Sequence, residues 1–299
     1  MNFNKVISPL RVIDFIRDKP QIGLKLIRYL SYLEPRVNCK TMKISLLIEE
    51  LNKWTPFNNA EDYDNIGLLC GQSSSDVSGV LVALDSTEEV VEEAIEHNCN
   101  TIIAFHPIIF KGLKQLNGET YVERAVLKAI KNNINIIALH TALDNVAHGV
   151  SGRMLQELNA EPLHILDAKS ESHGLGMVGQ LKNSYSEEQF LTLLKERFHL
   201  HTLRHSNFLS KPIERIAVLG GSGAYAIALA KKHKVDAYIS ADFKYHDFFA
   251  ADNELLLIDI GHFESEQFTK NLIVEFLTEK FTNFVVILSQ TRTNPVNYF

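Results

Sequence analysis

The sequence predicts an α/β fold, and three observations predict it. Apolar runs of strand length alternate with stretches whose apolar residues recur at helical spacing. The alternation passes twice through a β-α-β layout, which hints at an internal duplication. Histidines and acids collect where the apolar runs stop: 101–105 runs into His106-Pro107, 134–139 into His140 with Asp144 beyond, and 255–260 into Gly261-His262 with Glu266 beyond. Ligands of open α/β sheets bind outside the carboxyl ends of the strands, so these groups read as one site assembled from distant segments.

Each element has its own signal. Ile44, Leu46, Leu47, Leu51 and Trp54 make 44–54 an amphipathic helix, and a polar loop follows over 55–65. Strand 80–84, helix 87–97 and strand 101–105 form the first β-α-β unit, with Glu88, Glu89, Glu92 and Glu93 expected on the wet side of the helix. A helix over 121–132 leads into strand 134–139, and another begins near Ser151, a fitting N-cap. Between 161 and 176 the pattern turns irregular, with Pro162, Gly174 and Gly176 among polar residues. A boundary is expected there, dividing a first half, 42–165, from a second, 166–299. The second half reads as strand 177–181, helix 186–198, a β-α-β unit of 216–219, 224–233 and 237–240, then strand 255–260, helix 265–280 and strand 284–288.

Composition bounds the function. At 299 residues, 45% hydrophobic and 22% charged, the chain can bury one large core or two ordinary ones. Its net charge of -6 gives no general electrostatic reason to expect nucleic acid as a partner. Cys39, Cys70 and Cys99 form no C-x-x-C pair, and the odd count argues against a disulfide framework, so a reducing cytoplasm is the expected setting. The apolar runs fall well short of the ~18 residues a membrane helix needs. Residues 1–41 stand apart, with eight Lys and Arg against Asp14, Asp18 and Glu34, while the organised pattern begins at Met42. An upstream start codon, a basic helical arm and a targeting segment all fit this extension.

His262 and Glu266 are the sharpest local signal, because spacing i, i+4 near a helix start puts both side chains on one face, where they can share an ion. A surface pair would show the same spacing. His106 can be a ligand or a structural histidine, Asp144 a ligand or an Asx-turn residue, and His140 a ligand or a donor that orients a carboxylate. Asp242 and His246 are another acid–imidazole pair, read either as a capped helix or as a proton relay through His246. The turn 220–223, Gly-Gly-Ser-Gly, fits a tight turn or a phosphate nest better than a dinucleotide motif, and Lys111 and Lys114 can meet a phosphate, though solvated lysines are the default.

Four segments together carry a family resemblance: Glu61-Asp62-Tyr63-Asp64-Asn65-Ile66-Gly67-Leu68, Phe105-His106-Pro107-Ile108-Ile109-Phe110-Lys111-Gly112-Leu113-Lys114, His140-Thr141-Ala142-Leu143-Asp144 and Gly261-His262-Phe263-Glu264-Ser265-Glu266. In order and spacing they resemble the Nif-three-like dinuclear metal centre proteins, often labelled GTP cyclohydrolase 1 type 2 homologues. The resemblance covers Met42 to the C-terminus. It implies two related α/β halves with mixed sheets flanked by helices, a toroidal homohexamer, and up to two divalent ions per subunit held by His106, Asp144, His262 and Glu266. Many members have two adjacent histidines where this chain has Phe105-His106, and phenylalanine cannot ligate a metal.

The functional expectation is a metal-dependent hydrolase acting on a nucleotide or small phosphorylated compound. A His/carboxylate set without thiolates suits Zn, Fe, Mn or Co at an open centre, and His246 is the candidate acid–base group. The alternative is a non-enzymatic metal-binding hexameric scaffold or regulatory interaction protein.

Overall fold

The computed structural model describes residues 41–299, so the three readings of the N-terminal extension lie outside the described residues. The apolar stripe Ile44, Leu47 and Leu51 folds as α1 (Ile44–Trp54), with all three side chains fully buried. Burying each stabilises the fold by about 1.5–3 kcal/mol. The chain continues through β1 (Gly67–Cys70), β2 (Gly79–Ala83), α2 (Glu88–Glu96), β3 (Thr101–Ala104), α3 (Tyr121–Lys131) and β4 (Asn135–Ala138). Next come α4 (His140–Asp144), α5 (Val150–Glu157), β5 (Ala160–Ala168), β6 (Gly174–Tyr185), α6 (Glu187–Arg197), β7 (Arg204–His205) and β8 (Ile213–Ser222). The described fold closes with α7 (Ile227–Lys232), β9 (Ala237–Ala241), β10 (Leu256–Asp259), α8 (His262–Glu266), α9 (Thr269–Lys280) and β11 (Val285–Leu288).

These strands make two mixed sheets. The first runs β1-β4-β3-β2-β11, parallel except for β1, and the second runs β5-β6-β8-β9-β10-β7, with β8, β9 and β10 parallel. Strand β2 is buried throughout, and alternation sends Val80 and Val82 to one face and Leu81 and Ala83 to the other. Its run is continuously apolar because helices cover both faces. Helices α1 and α9 cover one face of the first sheet; α2 and α3 cover the other. Helix α5 contributes to both sheets, with Val150 in the first sheet's core and Met154 and Leu155 in the second's.

Most predicted elements form within a few residues of their expected bounds. Thr87, Thr120 and Ser186 cap α2, α3 and α6 by accepting backbone N–H bonds from Val90, Glu123 and Gln189. Strand β1 follows the 55–65 loop at positions to which the sequence assigned no element; it is a four-residue edge strand, too short to show a period.

Several expectations need correction. Helix α5 starts at Val150 with Gly149 as its N-cap, and Ser151 is buried inside the first turn. A Cβ at position 149 would meet the Leu143 carbonyl oxygen at 1.8 Å, so only glycine fits there. The irregular stretch 161–176 is part of the β5–β6 hairpin: β5 is an edge strand, mostly exposed in its first half, and Pro162 borders a register shift, where a missing N–H is tolerated. The helix expected over 265–280 is two helices, α8 and α9. The expected division at 165/166 is not the division between sheets, because β5 begins at Ala160 and β11 returns to pair with β2 of the first sheet. Glu93 is buried rather than wet, and accepts hydrogen bonds from Ser289, Gln290 and Thr291.

Candidate metal centre

Carboxyl ends of parallel strands from both sheets supply the site. Strand β2 runs out into Asp85 and its parallel neighbour β3 into Phe105-His106; β9 runs out into Asp242 and its neighbour β10 leads to His262 at the start of α8. In each pair the acid grips the histidine. His106 Nδ1 lies 2.8 Å from Asp85 Oδ1, and His262 Nδ1 lies 2.8 Å from Asp242 Oδ2. A carboxylate at Nδ1 holds a proton there, so a metal ion that displaces the other ring proton meets the lone pair on Nε2.

Both Nε2 atoms face one oxygen. Glu266 Oε2 lies 3.1 Å from His106 Nε2 and 3.2 Å from His262 Nε2. That oxygen is buried and accepts no hydrogen bond. An unsatisfied buried carboxylate oxygen is expensive, and a cation between it and the two imidazoles removes the expense. His106, His262 and Glu266 offer ligand atoms that all lie within 4.8 Å of one another. The residues present therefore fit a divalent ion bound by two nitrogens and a carboxylate.

The electrostatics express the same closeness. Burial disfavours the charged imidazole of His106, but the carboxylates of Asp85 and Glu266 outweigh it and raise its pKa to about 10. For His262, burial is outweighed by Asp242 and Glu266, giving about 11. Burial would raise Glu266, yet His106 and His262 draw it down to about 2. Asp144, the last residue of α4, is pushed well above the ordinary carboxylate range, first by burial and then by the charge of Glu266. It thus feels the cluster while standing outside the close group of three.

Local backbone makes room for this packing. Gly221, at φ +67°, passes so near Glu266 that a Cβ would lie 2.5 Å from Oε1. Of the two readings of 220–223, tight turn or phosphate nest, the nest is corrected, since the Gly221 N–H donates to Ser265 Oγ and the Gly223 N–H to the Ala241 carbonyl. His140 begins α4 at φ +28°, a conformation rare for a side-chain-bearing residue, and its Nδ1 lies 2.7 Å from Asp64 Oδ1. Asp64 also accepts from the backbone N–H groups of Asn65 and Thr141 and from the Thr141 hydroxyl. The His140 ring stands 5.5 Å from that of His106, and Phe105, fully buried, packs against both.

Two further sequence expectations fall elsewhere. His246 is exposed on the turn Tyr245–Ala251, in ring contact with Tyr245 and Phe249, and no described contact joins it to the cluster. Asp242 pairs with His262 rather than with His246. The sequence reading gave Asp85 no histidine partner and paired Asp242 with His246 instead of His262. The signal was there: each lies 20 or 21 residues before its histidine, at the end of the preceding parallel strand.

Two cavities flank the centre. One of about 470 Å³ is lined by Asp85, Ser86, His106, Pro107, Tyr121 and Thr293 among others. The second, of about 450 Å³, opens onto His106 and His262 together with Arg204, Asp242 and Tyr298. Arg204 is held through Nη2 by the Phe243 carbonyl and the Asp259 carboxylate, with its guanidinium carbon 5.5 Å from the Phe248 ring centre.

Residues 42–295 match the family described as Duf34/NIF3 (NGG1p interacting factor 3). The chain belongs to the DUF34/NIF3 family. Among relatives of this family member, a Campylobacter jejuni protein named GTP cyclohydrolase 1 type 2 homolog is 35% identical over 86% of this chain and all of its own length. A Clostridium acetobutylicum protein of the same name is 34% identical over 76% of this chain and 86% of its own. The crystal structure of a Staphylococcus aureus hypothetical protein superposes with a TM-score of 0.81 at 30% identity, covering 87% of this chain and 100% of that one. A Bacillus cereus protein related to NIF3 superposes with a TM-score of 0.77 at 25% identity, over 87% and 100%. Among the described residues no helix is long and apolar enough to cross a membrane.

Proposed function

We propose that this protein is a metal-dependent hydrolase of a nucleotide or small phosphorylated compound, working as a homohexamer in the cytoplasm. The observation that carries the reading is the convergence of His106 Nε2 and His262 Nε2 on the buried, unbonded Oε2 of Glu266, beside two cavities. His106, His262 and Glu266 would hold a divalent ion, with Asp144 as the additional carboxylate for a second. Such an ion supplies Lewis acidity and lowers the pKa of water toward neutrality. Zn, Fe, Mn and Co all suit the nitrogen–oxygen donor set. Up to two ions would bind, and because Phe105 offers no donor, one of them would be weakly held, water-rich or absent.

The chain's own residues do the remaining work. Asp85 and Asp242 hold the two imidazoles with Nε2 inward. Among the described residues Arg204 Nε and Nη1 donate to no protein group, so the guanidinium can take an anionic group of a substrate lying in the cavity it lines. The relatives' shared name, GTP cyclohydrolase 1 type 2 homolog, supports a nucleotide among the candidates.

The test is turnover by the full chain loaded with Zn, Mn or Fe, on GTP and a panel of nucleotides and phosphate esters, with elemental analysis of the same samples. Turnover that disappears in Glu266→Ala while the oligomer persists supports the reading. Metal retention without turnover of any compound would leave the scaffold alternative in its place.

A further inference from the structure

The residues after β11 form a strap over the metal cleft, and their attachments are unusual for a surface tail. Its root is the buried Glu93, whose carboxylate accepts from Ser289 Oγ at 2.6 Å, the Gln290 N–H at 2.7 Å, Thr291 Oγ1 at 2.7 Å and the Thr291 N–H at 3.3 Å. Burial would raise the Glu93 pKa, but these donors lower it, so a charged carboxylate is kept inside to fix three successive residues. Farther along, Asn294 Nδ2 donates at 3.0 Å to Glu264, which sits on α8 between His262 and Glu266. The strap therefore starts on the first sheet and grips the ligand-bearing helix of the second. Thr293 and Pro295 line the cavity beside His106, while Asn294, Pro295 and Tyr298 line the cavity that opens on both histidines.

Between these anchors, the Thr293 hydroxyl donates to Asp85 Oδ2, the oxygen that His106 does not use. A carboxylate held at one oxygen can still swing about its last torsion. Held at both, its plane is fixed, and so is the imidazole it orients. We propose that Thr293 is a positioning residue for the metal centre, acting through Asp85 to hold His106 Nε2 toward Glu266. Among the described residues no such hydroxyl bonds the second oxygen of its counterpart, Asp242, whose side chain is 48% exposed against 33% for Asp85. The proposal rests on the metal reading of His106, His262 and Glu266.

The test measures Zn²⁺ affinity of the full chain by competition with a chromophoric chelator, alongside thermal unfolding of the metal-free protein. Thr293→Val and Thr293→Ala are expected to weaken Zn²⁺ binding about tenfold, at the lower end of the range for a group that orients a metal-bound histidine. Thr293→Ser should restore it. In combination with Asp85→Asn, Thr293→Val should add nothing, because both remove the same constraint. Unchanged affinity in both hydroxyl-less variants overturns the proposal, as does full additivity with Asp85→Asn. If neither variant folds, the hydroxyl serves stability and the positioning role is likewise overturned. Absence of Zn²⁺ binding in the unsubstituted protein would instead sink the metal reading itself.

Discussion

The two parallel-strand units that meet at the candidate metal centre, β2 with β3 and β9 with β10, use the same device with different degrees of restraint. In the first, Asp85 after β2 orients His106 after β3; in the second, Asp242 after β9 orients His262 after β10, again at 2.8 Å. His106 is the more enclosed, with a side chain 23% exposed against 41% for His262, and its acid is gripped a second time by Thr293. Glu266 belongs to the second unit by sequence but serves both imidazoles. A symmetric pair of histidines thus meets at an asymmetric carboxylate, and the better-held side is the one the C-terminal strap crosses.

The comparison can be broken first at its meeting point. Glu266→Ala removes the shared oxygen, and metal loss after dialysis, read by elemental analysis, should exceed the ~100-fold weakening typical of losing an orienting partner. Asp85→Asn and Asp242→Asn should each weaken Zn²⁺ by ~10–100-fold, with Asp85 the more sensitive because its histidine is more enclosed. Equal losses would remove the asymmetry.

Acidity sharpens the contrast between metal-free and metal-loaded protein. His106 and His262 have pKa values raised from 6.5 to about 10 and about 11, so their contribution to metal-free stability is complete below 6.5 and fades as pH climbs through those values. Glu266 is lowered from 4.5 to about 2, so its contribution is complete above 4.5 and is lost as pH falls toward 2. The metal-free chain should therefore lose melting temperature above pH 6.5, whereas metal affinity should rise over the same interval because protons compete for the same nitrogens. A calorimetric pH series with and without Zn²⁺ checks both slopes.

Smaller effects come last. Gly221→Ala forces a Cβ into the Glu266 carboxylate at a positive φ and should destabilise by about 1–3 kcal/mol in chemical unfolding. His246→Ala should leave turnover within about twofold, since it sits on an exposed turn away from the cluster and surface changes of that kind are small. A large loss there would restore His246 as an acid–base group.

Much of this was legible along the chain. The strands appeared because burial on both faces demands continuous apolar runs, and His106, His262 and Glu266 stood out because they follow such runs. What hid were features whose cause lies far away in sequence. Glu93 looks like one more wet helical glutamate until the 289–291 segment arrives to bond it. The hairpin at β5–β6 looks irregular because an edge strand can carry a proline and exposed polar residues. His246 looked like a partner for Asp242 at i, i+4, and lost to His262, 20 residues away.

By itself, the sequence determined the α/β class, most of the order of strands and helices, and the chemistry of the ligand atoms, because periodicity and residue type are local properties. Tertiary structure decided which carboxylate holds which imidazole, that β11 rejoins the first sheet, and that one buried oxygen receives both Nε2 atoms. Those outcomes depend on which strand ends lie side by side, and parallel pairing across helical crossovers sets that in space rather than along the chain.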